Sequence, residues 1–441
     1  MKHSSSPAAA QTPQERYRRS LEWLARAEAV IPLGSQTFSK SPASLPRGVS
    51  PCFIESGRGS RVWDVDGNEY IDFINALLAV FLGYRDPDVD TAVREQLDNG
   101  VSFSLPHRLE TAVAEMIIDM VPCAEAVRFA KNGSDATAGA VRLARACTGR
   151  EHVAVCGYHG WQDWYIGATA RDLGVPAATR ALTHAFTYND AASLESLLAA
   201  QPGGFAAVIL EPMNSDWPAE GFLETVADLT RRHGALLIFD ETITGFRFAA
   251  GGAQELFGVT PDLATFGKGL GNGHPLAVVT GRHEYMQMME KIFFSFTFGG
   301  ETLSLAAAAA VLAKLRREPV LATIHARGEQ LLQGLARLID RHHAAAFAAV
   351  SGHPAWPFFR LSDCDPYTAL ELRTLYLQEM FARGILVNGG HNLSYAHSEA
   401  DIDALLAAYD EILPLLVAAV GKHDLHERLH CAPLQPLFRV R

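Results

Sequence analysis

The chain has no excess of basic residues. Lys and Arg number 38 against 49 Asp and Glu, a formal net charge of −11 with a pI near 5.9. Nucleic-acid binding needs clustered Lys and Arg to neutralise phosphates, so no nucleic acid is expected as a partner. An acidic surface favours a soluble protein and identifies no ligand. Cysteine is sparse. The six residues Cys52, Cys123, Cys147, Cys156, Cys364 and Cys431 contain no C-x-x-C pair, and no Cys/His pair has zinc-finger spacing. No metal site is expected, and the thiols are read as reduced, mostly buried and cytoplasmic. No uninterrupted apolar run reaches transmembrane length. The Met1–Ser6 segment lacks the apolar core of a signal peptide, so no membrane association is expected. There is no internal repeat, and the alanine run 306–310 is short and sits in a helix-like segment.

What remains is ordinary globular composition. Hydrophobic residues make up 48% and charged residues 20% of 441 residues, enough for a large core. That length allows two or three domains at roughly 100–200 residues each. Residues 1 to about 13 are Ser, Ala, Gln and Pro, the composition of a mobile tail. A helix is expected over 16–31, a loop over 34–50, and a hairpin over 61–72 around Asp66-Gly67-Asn68. From about 110 to 300 the chain alternates between strand and helix patterns. Val127–Ala130, His152–Cys156, Ala206–Leu210 and Ala235–Phe239 read as strands, Asp135–Cys147 and Leu223–Arg232 as helices. Short apolar strands between helices belong to a mostly parallel α/β sheet covered on both faces. Beyond about 320 the pattern suggests a smaller C-terminal domain.

Four segments carry chemistry. In Phe266-Gly267-Lys268-Gly269-Leu270-Gly271 a glycine-flanked lysine follows the apolar stretch 263–266. It reads either as a flexible loop or as a confined amine able to form a Schiff base. A Walker A loop is excluded, because no Ser or Thr follows the lysine. In Leu236–Asp240-Glu241 a carboxylate closes an apolar strand. It is either a cap for the next element or an anion at a ligand site beyond a strand end. Asn132-Gly133-Ser134-Asp135 precedes a helix and reads as an N-cap or as a phosphate cradle. Gly157-Tyr158-His159-Gly160-Trp161 places an aromatic past a strand end, for core packing or for stacking on a flat ring.

Together these segments resemble the class III pyridoxal-phosphate-dependent aminotransferases, and within them the glutamate-1-semialdehyde 2,1-aminomutase relatives. The similarity runs from about residue 16 to 420. It includes 59–72, Asn132–Thr137, Tyr158–Gly160, Glu211-Pro212, Asp240–Arg247, Gly267–Gly269 and Glu301–Ser304, in the family's order. The resemblance implies fold type I: a mostly parallel central sheet in a large domain (76–320), with a smaller domain from both chain ends (14–75 and 321–441). It implies pyridoxal 5'-phosphate as cofactor. Lys268 is then the Schiff-base lysine and proton shuttle, and Asp240 pairs with the pyridinium nitrogen. Gly133 and Ser134 hold the phosphate. Tyr158 stacks on the ring with His159 beside it, and Glu211 orders polar groups on the phenolic side. Thr302 resembles the threonine that reaches the neighbouring subunit's phosphate, which implies a homodimer.

The match departs from the aminomutases in one place. Residues 386–397 hold no glutamate before the Leu-Ser-Tyr-Ala-His run, and no arginine for a substrate carboxylate. His391 and Asn392 stand near that place and offer neutral hydrogen-bonding groups, or are ordinary loop residues. Arg247 is the nearest obvious anion ligand, or a structural ion pair. Trp161, Trp164 and Tyr165 wall a pocket or pack in the core. The resulting expectation is an aminotransferase acting on amino donors and a small polar carbonyl compound, sugar-like or a natural-product intermediate, with glutamate as a possible donor. The alternative is an aminomutase, epimerase or amine-eliminating lyase on the same scaffold. A third is a binding protein with a dead cofactor site, against which the joint presence of lysine, aspartate and phosphate residues argues.

Overall fold

The computed structural model describes residues 12–436, apart from the side chain of Gln14. Residues 1–11 of the expected tail lie outside that range. Its last two residues are not tail-like: Thr12 caps the short helix Pro13–Arg16 in a reciprocal pair with Glu15. The expected helix 16–31 is therefore two pieces, Pro13–Arg16 and Arg18–Val30.

The seven-stranded sheet has the order 126–130, 277–281, 263–266, 236–240, 205–210, 152–156, 183–185. All neighbours run parallel except Ala277–Gly281, which is antiparallel to both its partners. Strands Phe205–Leu210 and Leu236–Asp240 are buried at every position, as strands covered on both faces must be. The helices Gly133–Thr148 and Phe222–Arg232 bury one apolar face each. Helix Thr302–Arg317 packs on Pro87–Asn99 and Arg108–Met120.

The direction of these strands places the chemistry. The strands ending at Ala130, Cys156, Leu210, Asp240 and Phe266 all run the same way. Their carboxyl ends lead into Gly133, Gly157, Glu211, Asp240 itself and Lys268. Five separate sequence segments are thereby delivered to one edge of one sheet, where open α/β sheets bind ligands.

A second sheet joins the two chain ends. Ile54–Arg58, Arg61–Asp64 and Glu69–Asp72 form an antiparallel set, and Ile385–Leu386 adds in parallel to the last. One core cluster holds Tyr17, Val62, Tyr70 and Phe73 together with Leu375, Tyr409 and Leu413, and it also takes in Met213, Phe248 and Val311. We propose a division into 14–75 with 321–441 and 76–320, two units that share this core. Helix Glu399–Lys422 is long and apolar enough to cross a bilayer by length and composition. Its Ile402, Leu405, Tyr409, Ile412 and Leu416 are instead buried in this core. All six cysteines are free.

Candidate active site

Lys268 opens a short turn, Lys268–Gly271, directly after the strand Leu263–Phe266 and an extended Gly267. Its φ is +44°, a conformation that costs a non-glycine residue energy and persists only where the surroundings fix it. Among the described residues Nζ has no hydrogen-bond partner. Burial lowers its pKa to about 8, against the pull of the Glu211 and Asp240 carboxylates, which favour the charged form. The amine is thus held free and poised for deprotonation near neutral pH.

Asp240 is buried and bonded on both oxygens. Oδ1 accepts from the Thr242 amide (3.2 Å), the Thr242 hydroxyl (2.6 Å) and the Thr265 hydroxyl (3.0 Å). Thr265 arrives because it is Asp240's register partner on the next strand. Oδ2 bonds His159 Nδ1 at 2.8 Å, and His159 Nε2 bonds Cys156 O at 3.2 Å. Burial pushes the carboxyl's pKa up, but the His159 and Thr242 bonds outweigh it and hold Asp240 below the ordinary carboxylate value. His159 therefore lies against Asp240, fixed at both ring nitrogens, with Trp164 stacked at 6.4 Å between centroids.

At the other end, helix Gly133–Thr148 starts behind an Asn132–Asp135 capping box. The cap takes the Asp135 amide, and the amides of Gly133 and Ser134 have no acceptor among the described residues. Two glycines keep this corner open. A Cβ on Gly160 would lie 2.3 Å from Ser134 Oγ, and one on Gly133 would lie 3.1 Å from Thr242 Cγ2. The helix end is thus packed on the residue that also bonds Asp240. Ser134 Oγ accepts from the Trp161 amide at 3.2 Å. Glu211 accepts from the Tyr158 amide and from Asn214 Nδ2, both at 2.9 Å. Burial and the nearby Asp240 raise its pKa. Tyr158 is 50% exposed and lines a cavity of 1130 Å³ that also holds Lys268.

That cavity sorts the remaining candidates. Trp161, 67% exposed, lines it, whereas Trp164 and Tyr165 are buried behind it. Asn392 reaches the lining but spends its amide on Ile74 O at 2.7 Å. His391 is fully buried between Pro357 O and Tyr409 OH, and burial drops its pKa to about 4. Of the 388–392 loop behind the sugar-like expectation, His391 is sealed, whereas Asn388 and Asn392 reach the cavity and Asn392 Oδ1 has no hydrogen-bond partner among the described residues. Thr302 commits its hydroxyl to Gly100 O (3.1 Å) and Val101 O (2.8 Å), and its amide to Val101 O (3.0 Å). Both its donors are used inside its own chain.

Arg247 is the clearest departure from expectation. It is fully buried and makes no ion pair among the described residues, which supports a structural role over contact with a substrate. Its guanidinium donates to Leu393 O (2.7 Å), Leu78 O (3.3 Å) and Ala355 O (3.4 Å), and lies over Phe81. Burial lowers its pKa to about 9. It ties three chain segments together, one of them the turn Asn75–Leu78. That turn has four consecutive positive φ values (45°, 49°, 61° and 72°) without a glycine, at a cost of roughly 1–2 kcal/mol per residue. Leu77 and Leu78 wall the cavity. Arg247→Ala should therefore unfold at lower urea, losing about 2–4 kcal/mol as buried carbonyls lose their donor. An unchanged urea midpoint with a raised KM would return Arg247 to the substrate.

Sequence reasoning passed over Thr265, Asn214, the left-handed turn and Arg373 on helix Ala369–Ala382, a further cavity residue. Thr265 sits inside an apolar strand, where register alone reveals it. The others have no local signal.

The aminotransferase class-III family model matches residues 44–353. The chain belongs to the class III aminotransferases. It is 34% identical to the 3-aminobutyryl-CoA aminotransferase of Cloacimonas acidaminovorans, over 90% of this chain and 96% of that one. It is also 34% identical to a glutamate-1-semialdehyde 2,1-aminomutase of Desulforapulum autotrophicum, over 90% and 99%. The FumI protein of Sphingopyxis sp. MTA144, solved as its PLP internal aldimine form, superposes with a TM-score of 0.86 at 30% identity, over 95% of this chain and 99% of that one. Class III aminotransferases use pyridoxal phosphate, and the residues present fit it. The free amides of Gly133 and Ser134 suit a phosphate. Asp240 Oδ2 carries one bond and has a lone pair left for a ring N–H.

Proposed function

We propose that this class III aminotransferase works as a homodimer that holds pyridoxal phosphate through Lys268, and moves an amino group between an amino donor and a carbonyl compound. The carrying observation is convergence. A free lysine amine, a charged buried carboxylate and two unpaired helix amides meet at one sheet edge, and the lysine lines a cavity. The bound cofactor supplies an electron-withdrawing ring that stabilises the substrate carbanion. The chain does the rest. Gly133 and Ser134 bind the phosphate, with Thr242 closing the corner. Asp240, oriented by His159, Thr242 and Thr265, keeps a proton on the ring nitrogen. Tyr158 covers a ring face. Glu211, which reaches Asn214 and the Tyr158 amide, orders the polar side of the site. Lys268 Nζ takes the proton from the substrate carbon and returns it. The free cysteines support a reducing, cytoplasmic setting.

The test is spectroscopic. The purified protein should show a visible cofactor band that bleaches on adding an amino donor, with keto product formed and nitrogen retained. Release of ammonia instead would assign the lyase reading. The lysine gives a pH signature as well. Only a neutral amine adds to an aldehyde, and burial brings Lys268 to about 8 rather than 10.5. Covalent capture of added pyridoxal phosphate by cofactor-free protein should therefore speed up with rising pH and level off above that value. A rate still climbing at pH 10 would contradict an enclosed amine.

The dimer rests on an apolar patch. Leu97, Phe103 and Leu105 near the Thr302-bonded loop, and Phe293 and Phe298 before Thr302, are exposed, Leu105 by 79% and Phe293 by 78%. Large apolar side chains left exposed on these stretches suit an interface. Sedimentation should give a dimer, and Leu105→Asp with Phe293→Asp should shift it toward monomer with loss of cofactor. A fully active monomer would end this reading.

A further inference from the structure

Besides Lys268, the cavity contains a cation that no carboxylate pairs with among the described residues. Arg373 projects from helix Ala369–Ala382 into the cavity that holds Lys268. It also lines a second cavity, of 1100 Å³, that shares Phe38, Tyr158, Trp161 and Leu370 with the first. Arg373 thus stands at the junction of the two. Its Nη2 donates to Asn388 O at 2.7 Å. Its Nε is buried and has no hydrogen-bond partner. Among the described residues no carboxylate lies within ion-pair distance of it. The other charged groups differ. Arg360 in the same lining is paired with Asp216 at 2.6 Å. Asp163, on the wall of the second cavity, is exposed and makes no ion pair with Arg373. Desolvation lowers the Arg373 pKa, with only Tyr376 acting the other way.

An unpaired guanidinium out of water is costly, and removing the cost requires an anion with matching geometry. The bond to Asn388 anchors the loop but uses one nitrogen, and leaves Nε–H without an acceptor. Nη1 makes no hydrogen bond among the described residues, and with Nη2 it forms the planar, forked end of the guanidinium that can take a carboxylate. Part of the surrounding wall is apolar, with Leu77, Leu78, Trp356 and Phe358 lining the same space as the polar Gln36, Ser215 and Ser362.

We propose that Arg373 is the anion-binding, specificity-determining residue of this site, and that the preferred substrate is an amine carrying a carboxylate on an apolar body. The assignment rests on the aminotransferase reading of the cavity for the amine end, which must reach Lys268. The carboxylate end rests on Arg373 alone. It replaces Arg247, which is sealed, and the arginine that residues 386–397 lack.

The test separates the two ends by using unreactive probes. Hexanoate and hexanamide have the same length and shape and differ in charge. Their binding to the holoenzyme, measured by calorimetry, should favour hexanoate by at least about tenfold, the strength of a charge-assisted bond. Arg373→Gln should erase that preference, and Arg373→Lys, which keeps the charge without the fork, should keep part of it. The cofactor band and thermal midpoint report whether each variant is folded. If Gln does not fold, the Lys variant and the wild-type ratio decide. Equal binding of the two probes to wild type, or an undiminished hexanoate preference in a folded variant, overturns the proposal. Hexylamine tests the other end. If neither hexylamine nor aminohexanoate bleaches the wild-type band, the aminotransferase reading fails, while the hexanoate comparison still decides Arg373.

Discussion

Lys268→Ala should yield a folded protein without the visible band of covalently held cofactor, and with the half-reaction slowed by several orders of magnitude. Two separate losses combine. The amine that forms the covalent bond is gone, so every donor must react with noncovalently bound cofactor. The base that moves the proton is gone as well, and a positioned general base alone contributes on the order of 10²–10⁴-fold. The fold should survive, because Nζ has no hydrogen-bond partner to lose and its enclosure is unfavourable for the ammonium. Alanine also keeps a Cβ, so the strain at φ +44° is unchanged. The proposed phosphate anchors at Gly133 and Ser134 are untouched, so the cofactor should remain associated and be removable by dialysis. The measurement is an absorption spectrum followed by single-turnover kinetics. A variant that keeps the band, or turns over at the wild-type rate, would mean that another amine holds the cofactor.

The parts of this site that could be read in the sequence are those where chemistry interrupts an apolar strand. Asp240 ends a run buried at every position, and Lys268 follows another. A charged residue there has no place in a core, so its presence already suggests a ligand edge. Glycines 157 and 160 are legible for a related reason: both have positive φ, and any side chain would strike Glu211 or Ser134. What could not be read depends on contacts distant in the chain. Arg247 follows the Asp240 strand closely enough to look like an anion ligand, yet its partners are carbonyls at 78, 355 and 393. The turn Asn75–Leu78 has ordinary residues in a left-handed conformation that no propensity suggests. It is held from outside, by Arg247 at Leu78 and by the Asn75 side chain on Asn392 O. Arg373 lies in a helix of otherwise mostly apolar residues, and only the cavity reveals that its charge is unanswered.

Asp240→Asn should leave the shape of the site intact and slow proton removal by on the order of 10²–10³-fold, the usual loss when one preorganised electrostatic group is removed. The hydrogen-bond network dictates which way the new amide faces. Oδ1 accepts from two threonine hydroxyls and an amide, so the asparagine oxygen must occupy that position. Its NH₂ group then replaces Oδ2 and points at His159 Nδ1 and at the place of the ring nitrogen. His159 can adapt. With Nε2–H donating to Cys156 O, the neutral ring presents Nδ1 as an acceptor for the new donor. The cofactor ring cannot adapt in the same way. A donor facing its nitrogen favours the unprotonated form, which withdraws electrons poorly from the substrate carbanion. Cofactor affinity should fall only modestly, since the proposed phosphate contacts at Gly133 and Ser134 and the proposed Lys268 bond remain. Stopped-flow measurement of the half-reaction with a deuterated donor separates these effects. Proton removal should become more rate-limiting, so the isotope effect should rise as the rate falls. A variant with the wild-type half-reaction rate would reduce Asp240 to a cap for the Thr242 turn.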